Sequence, residues 1–439
     1  MSGWSSKTSL ITNLIHRAWI GLGFAAAIDL GSVHTRAEAL APEMRLHMID
    51  VGQGEAMLLE FPCGAGLIDT GGESNDEFDS TTALTTYLEH FFEKRADLEH
   101  RLSFLVLSHP HVDHTRGVEA VLRLYKPRNI ITNGQQAGSG VEGQKAALAY
   151  ATATESAGTQ RVRSESIAVE DLPPHAGYTS EVIDPINCGA VDPRLQVLWG
   201  AHRYNPGWSK KAFDNNNNHS VTIRLDFGAA SFLFGGDLER EAITEMLQRY
   251  RGTTLLDVDV YKVGHHGSDN GTTADLLQAV TPKIAIMSMG SDARQRLWTA
   301  YAFGHPRKSV IDLLQGNVAS ARPAHEFPVA AGARLFTPVN ITKAIYATGW
   351  DGNFVLRATT DGKLEHMQAA GALATQSINI NNASANDLMT LQGIGSVRAA
   401  AIVKYRNQHP FKSVRELLNV PGIGWVTFQH IKAHVSVGH

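Results

Sequence analysis

The 439-residue sequence holds only two cysteines, Cys63 and Cys188. That excludes a cysteine-built zinc fold and a disulfide-dense scaffold, and it allows one disulfide at most. A basic excess is also missing: 39 Lys and Arg stand against 43 Asp and Glu, a net charge of −4. The chain therefore does not coat nucleic acid by bulk charge, and any such contact must be local. No stretch reaches the roughly 18 apolar residues that a membrane-spanning helix needs. The nearest approach is Ala18 to Ile28, preceded by Lys7 and Arg17 and followed by Ala37-Glu38-Ala39. This is the pattern of a secretory signal with its cleavage site, so residues 1–39 are read as a signal peptide and the mature chain as soluble and exported, periplasmic or extracellular. In such a compartment Cys63 and Cys188 could pair if the fold brings them together. Histidine, by contrast, is plentiful: 20 residues, several in tight clusters where metal or acid-base chemistry is sought.

Arg45–Val51, Ala56–Phe61 and Gly66–Asp69 read as strands joined by turns. Further short apolar runs, Leu102–Leu107, Val221–Leu225, Ser231–Phe234, Val258–Val263 and Ile284–Ser288, are separated by helical stretches such as Ala83–Glu93 and Glu239–Arg251. Interleaved strands and helices predict an α/β layered domain over residues 40–358. The segment 137–211 has weak periodicity and reads as loops with scattered strands, the wall of a cleft. Residues 359–376 are small or polar and suit a linker, with a second domain over 377–439.

The strongest chemical signal follows the strand LSFLVL: Ser108-His109-Pro110-His111-Val112-Asp113-His114. Residues two apart in an extended segment point the same way, so His109 and His111 can grip one ion while Asp113 and His114 face a second. Phe232 to Asp237 is an apolar strand ending in two glycines and a carboxylate, a place from which Asp237 could bridge two cations. Its competing reading is a cap on the helix that starts near Leu238. The next strand leads into Gly264-His265-His266-Gly267, adjacent histidines that leave room for one imidazole on a metal and the other on substrate, without saying which.

The HxHxDH cluster resembles the hallmark of the metallo-β-lactamase superfold, which implies an αββα sandwich with metals at one edge of two sheets. Within it the chain resembles the hydrolase domain of the ComEC family over about residues 44–358, in order. The likeness rests on His47 to Ala56 (HMIDVGQGEA), Leu67 to Gly72 (LIDTGG), Asn217-Asn218-His219-Ser220-Val221, Lys262 to Ser268 (KVGHHGS), Ser288-Met289-Gly290, Gly304-His305-Pro306 and Tyr346-Ala347-Thr348. Many members of the superfold complete the first metal site with a third histidine, and His219 stands near that point where the ComEC-like branch often has Asn or Ser. Arg116 departs from the glycine common after the cluster, which puts the surrounding geometry in doubt. His305, followed by Arg307 and Lys308, could bind a phosphate or form a solvated basic loop.

The tail contains a repeat: Gly393-Ile394-Gly395 recurs 29 residues later as Gly422-Ile423-Gly424, each followed by a helical run. Glycines let the backbone turn tightly before a helix and offer N–H groups to a phosphate, while the isoleucine anchors the turn. These segments resemble the paired helix-hairpin-helix motifs of the ComEA family, implying a small all-α domain that binds DNA without sequence preference, with Arg398 and Lys432 as cationic contacts. Residues 377–439 carry six Lys or Arg against two Asp or Glu, net +4, which leaves −8 for the rest. The cationic excess is thus confined to the tail, although small helical domains also serve protein contacts.

Together these features predict an exported, two-metal phosphodiesterase or nuclease acting on DNA and retained on it by its tail, with a possible place in DNA uptake. Two divalent ions, Zn or Mn, are expected on His109, His111, Asp113, His114, His219, Asp237, His265 and His266. Asp113 would help fix the attacking water, and His265, His266 or His305 would serve the leaving oxygen. Two other classes stay open: a metallohydrolase of a non-nucleic ester or phosphodiester, and a noncatalytic DNA receptor.

Overall fold

A computed structural model describes residues 42–76, 78–156, 162–189, 191–368, 378–389, 391, 394–424, 427–428, 431–432 and 435–437. The expected signal peptide lies outside the described residues. Among the described residues no helix is long and apolar enough to cross a membrane.

The first strands, β1 (Glu43–Met48), β2 (Met57–Phe61) and β3 (Gly64–Ile68), form an antiparallel meander. β4 (Phe104–Val106), β5 (Asn129–Thr132) and β6 (Arg163–Ser166) then add in parallel to its edge. The second sheet is built from β7 (Arg194–Trp199), β8 (Thr222–Phe227), β9 (Ala230–Phe234), β10 (Val260–Lys262) and β11 (Ile284–Met287). A hairpin of β12 (Ala321–Gly332) and β13 (Leu335–Lys343) stands apart, before β14 (Ile345–Ala347) closes the second sheet beside β11. β15 (Phe354–Thr359) and β16 (Leu364–Gln368) return to the first sheet. The orders are β16-β15-β1-β2-β3-β4-β5-β6 and β14-β11-β10-β9-β8-β7.

Strand periodicity explains why the sheets stack. Met44, Leu46 and Met48 of β1, Met57, Leu59 and Phe61 of β2, and Phe104 and Val106 of β4 join the core shared with the second sheet, packing with β8 and β9 side chains such as Ile223 and Phe232. Leu58, Leu67 and Leu105, one residue out of phase, join a second core with Leu84, Leu88, Val121 and Ala147, carried by helices Ser80–Lys94, Val118–Tyr125 and Val141–Ser156. A side-chain period of two thus feeds two cores from one sheet. The result is an αββα sandwich, followed by a separate tail core around Ile380, Leu388, Ile402 and Leu417.

Two expectations are corrected. The segment 137–211, read as loops, contains the 16-residue helix Val141–Ser156. Its run of Ala, Thr and Gly lacks a clear apolar stripe, and it is burial of Ala147 and Ala151 that holds it in place. The expected linker contributes β16, paired antiparallel to β15, and so begins later than residue 359. In the tail, a two-residue pairing of β17 (Ile378–Asn379) with β18 (Val435–Ser436) accompanies the helices.

Cys63 and Cys188, 125 residues apart in sequence, are joined by a disulfide. It ties the β2–β3 turn to the segment leading into β7, and so ties sheet to sheet. Closing so long a loop stabilises mainly by restricting the unfolded chain, by about 2–4 kcal/mol. Cys188→Ser is expected to lower the melting temperature, and reductant to lower that of the parent but not of the variant. Equal melting of parent and variant under oxidising conditions would refute this contribution.

Candidate metal centre

β4 ends at Val106 and hands the chain to the histidine cluster at the sheet edge. Its backbone is gripped from two sides. The Glu55 N–H donates to the Asp113 carbonyl at 3.0 Å and the Thr70 N–H to the His114 carbonyl at 2.8 Å. This approach needs glycine: a Cβ on Gly71 would lie 2.1 Å from the Asp113 carbonyl carbon. The opening motifs DVGQGEA and LIDTGG therefore serve to clamp the ligand segment. On the opposite side the Val221 N–H donates to the Ser108 carbonyl at 2.8 Å, which docks the start of β8 against the end of β4 and brings the edges of the two sheets together.

Four candidate donors converge there. Ligand atoms of Asp113, His114, Asp237 and His266 all lie within 4.8 Å of one another. His114 Nε2 is 3.1 Å from Asp237 Oδ2, and His266 Nε2 is 3.3 Å from the same oxygen and 3.4 Å from Asp113 Oδ2. The His266 Nδ1–H donates to the Ser288 carbonyl at 2.8 Å, which turns Nε2 inward. Neither His266 Nε2 nor Asp237 Oδ1 has a hydrogen-bond partner, although both are buried. Beside this set His109 Nε2 and His111 Nδ1 are 3.0 Å apart, and the His109 ring lies 4.2 Å from that of His114. Orphaned polar atoms in a pocket of imidazoles and carboxylates match the donor chemistry of a divalent transition metal.

Electrostatics agree with charge accumulation in the pocket. Burial opposes protonation of His114 and His266, but the surrounding carboxylates outweigh it, holding His114 well above its ordinary range and His266 up to about 9. Asp113 and Asp237 are buried too, yet the neighbouring imidazoles keep both carboxyls below their ordinary values. The fully buried Lys262 ammonium pairs with Glu55, donates to the Gly236 carbonyl at 3.2 Å and lies 3.9 Å from Asp237 Oδ1. Burial works against that charge, and the Glu55 and Asp237 carboxylates more than compensate.

Three supports of the site escaped the sequence reading. Asp69, with φ +56°, accepts from the Ser108 N–H at 2.7 Å, from the Ser108 hydroxyl at 2.6 Å and from His114 Nδ1 at 2.7 Å. Glu55 and Lys262 form the buried pair beneath Asp237. All three lie within the quoted motifs, but a carboxylate or amine among apolar residues carries no spacing signal for a supporting role.

His219 is corrected as a ligand. Its Nδ1 accepts from the His202 N–H at 3.0 Å and its Nε2–H donates to the Phe213 carbonyl at 2.7 Å, so both ring nitrogens are spent on backbone. The next residue faces the site: Ser220 Oγ accepts from the Asp237 N–H at 3.1 Å and lies 3.3 Å from His109 Nδ1. His265 stays outside the four-donor set, its Nε2 3.9 Å from Asp237 Oδ2 and its Nδ1 bonded to Asn270 Oδ1 at 3.0 Å. Both His265 and His266 hold φ near +50°, a conformation unfavourable for side chains with a Cβ and set between Gly264 and Gly267. Arg116 folds back, its Nε donating to the Gly72 carbonyl at 2.9 Å. The His305 ring lies 6.0 Å from that of His265, and its Nδ1 accepts from Gln53 Nε2 at 3.1 Å, so the neutral ring carries its proton on Nε2. Burial, reinforced by His266, His265 and Arg307, depresses its pKa to about 3.

In the tail, Ile394 and Ile423 are buried in its core, Gly422 has φ +88°, and Gly395 caps helix Ser396–Gln408 without a side-chain bond. Gly424 follows Ile423, and Lys432 is half-buried. Arg398 Nε donates to the Gly422 carbonyl at 2.8 Å, so Arg398 braces one hairpin against the other. Gly393 lies outside the described residues.

These placements separate two histidines that look equivalent in sequence. His266→Ala is expected to lower the bound metal content measured by elemental analysis, whereas His219→Ala should keep it and lower the melting temperature. Asp69→Asn, which alters the partner of His114, should weaken metal affinity by about 10–100-fold. Undiminished metal affinity in Asp69→Asn would contradict its orienting role.

A family model described as a helix-hairpin-helix motif matches residues 374–436. ComE operon protein 3 of Bacillus subtilis is 28% identical over 290 residues, 63% of this chain and 31% of that protein. Recombination protein 2 of Haemophilus influenzae is 26% identical, covering 60% and 26%. ComE operon protein 1 of Bacillus subtilis is 32% identical over 77 residues, 17% of this chain and 36% of that protein. The chain thus spans about a quarter to a third of the length of the larger relatives. Among solved structures, the metallo-β-lactamase fold protein YhfI from Bacillus subtilis aligns at 13% identity and a TM-score of 0.31, covering 56% of this chain and 85% of that one. The larger part of the chain is thus similar to ComE operon protein 3, and residues 374–436 carry a helix-hairpin-helix motif similar to part of ComE operon protein 1.

Proposed function

We propose that this chain is an exported, metal-dependent phosphodiesterase that cleaves DNA at the sheet edge and holds it through the tail. The observation that carries the reading is the convergence of Asp113, His114, Asp237 and His266, two of them with buried atoms that have no hydrogen-bond partner. These four residues would hold one divalent ion, with His109 and His111 offering donors to a second beside it. Zinc or manganese bound there would supply Lewis acidity, acidifying a nucleophilic water and neutralising charge on a phosphoryl group.

The chain's own residues supply the rest. Asp69 fixes the orientation of His114, and Lys262 steadies the turn that carries Asp237. His305, neutral at ordinary pH with its proton on Nε2, is a hydrogen-bond donor for a phosphoryl or leaving oxygen. His265 stands at the rim, a fifth of its side chain exposed, as a second imidazole available to the leaving oxygen. DNA as substrate is supported by the tail motif and by relatives named for competence and recombination. Export is supported by the Cys63–Cys188 disulfide, which persists in oxidising compartments. The tail's glycine turns would supply N–H groups to the DNA backbone, and its net positive charge would make retention salt-dependent.

The division of labour is testable with two variants of the mature protein. His111→Ala is expected to abolish metal-dependent cleavage of plasmid and linear DNA while leaving DNA retention largely intact. Truncation before Ser377 should weaken retention on long DNA and flatten its salt dependence. Equal loss of binding in both variants, or cleavage insensitive to chelator, would overturn the proposal.

A further inference from the structure

Of the eight large hydrophobic side chains exposed among the described residues, three fall within seven positions beside the metal centre: Leu297 at 68%, Trp298 at 77% and Phe303 at 38% exposure. The rings form a line into the site. Trp298 lies 5.9 Å from Phe303, Phe303 stacks on His305 at 5.7 Å and 19°, and His305 faces His266 at 6.4 Å and 26°. A chain of aromatic ring contacts therefore runs from solvent to the candidate ligands.

The exposed end is held firmly. Arg294 lies 4.3 Å over the Phe78 ring and 3.2 Å from Glu73, and Arg296 binds Asp76 at 3.0 Å. The buried Thr299 hydroxyl donates to the Arg296 carbonyl at 2.7 Å and accepts from the Ala302 N–H, capping helix Ala300–Phe303. Arg307 in turn donates to the Phe303 carbonyl at 2.9 Å. Between these anchors Trp298 takes φ +62°, a conformation costly for a bulky residue, and its indole points outward instead of joining the core. A firmly braced loop that spends backbone strain to expose an indole two ring contacts out from His305 is built to present a flat apolar face.

We propose that Trp298, backed by Phe303, is a stacking platform for an unpaired nucleobase that flanks the phosphodiester bound at the metal centre. The assignment rests on the phosphodiesterase reading above and adds strand preference to it. Bases in a duplex have their faces covered by neighbours, whereas those of single strands and frayed ends are free to stack, and stacking tolerates any sequence. His305 then serves the phosphate while the outer rings serve the base one step along the strand.

The test uses the full mature chain, so that the tail's contribution is constant. The probes are a single-stranded oligothymidylate of about twelve nucleotides and the same sugar-phosphate strand with abasic positions. The parent should cleave the base-bearing strand with a kcat/KM about tenfold or more above that for the abasic strand. Trp298→Ala should erase the difference and Trp298→Tyr should keep most of it, with melting temperatures unchanged. In chelator, base-bearing but not abasic strand should quench tryptophan fluorescence in the parent, and the quench should vanish in Trp298→Ala. A base preference that survives in Trp298→Ala, or none in the parent, overturns the platform. If the metal-loaded parent cleaves no strand at all, the phosphodiesterase reading falls, while a base-dependent quench lost with Trp298 still supports the platform.

Discussion

The Asp69 carboxylate is the constraint on which the metal edge depends. Fully buried and carried by a residue in the left-handed region, it accepts three hydrogen bonds from the segment it positions: the Ser108 N–H, the Ser108 hydroxyl and His114 Nδ1. Those bonds set where the histidine cluster leaves β4 and leave His114 with only Nε2 to offer. Ser108 then passes the constraint to the other sheet, since its carbonyl receives the Val221 N–H and so fixes the neighbouring Ser220 against His109 and Asp237. A buried carboxylate satisfied this completely determines orientation more than it adds stability.

What could be read in the sequence followed from period and adjacency. Short apolar strands interleaved with helical stretches predicted the layered sheets, and the spacing of His109, His111, Asp113 and His114 predicted donors at a strand end; the structure brings Asp113 and His114 into the four-donor set, with His109 and His111 beside it. Less legible was anything that depends on long-range placement. His219 carries the residue type of a ligand, but one position of phase along the chain gives the site Ser220 and turns the imidazole toward the carbonyl of Phe213. His265 and His266 are indistinguishable as letters, and only the bond from His266 Nδ1 to the Ser288 carbonyl selects which ring turns inward. Glu55, in the segment before β2, and Lys262, at the end of β10, are far apart in sequence, so no local pattern could pair them. The helix Val141–Ser156 was invisible because it is held by small side chains without an apolar stripe.

On the proposed function the two parts of the chain would divide recognition from chemistry, and the distribution of charge fits that division. The domain holding the metal centre is acidic overall, which disfavours loose adsorption of a polyanion, while the tail concentrates the positive charge. On the proposed function, a polyanionic substrate would be held by the tail, and its effective concentration at the metal edge would be set by the connection between the two parts.

The disulfide has a mechanical consequence. The β2–β3 turn that carries Cys63 and the approach to β7 that carries Cys188 both lie at the end of the sandwich remote from the histidines, because β2 leaves the metal edge and β7 runs toward it. One end of the two-sheet stack is therefore riveted covalently, and the other is joined by hydrogen bonds and by whatever ions the donors capture. Ions held by the donors would therefore fasten the stack at the end opposite the cystine, so that metal loading and disulfide formation would stiffen opposite ends of the same two-sheet stack.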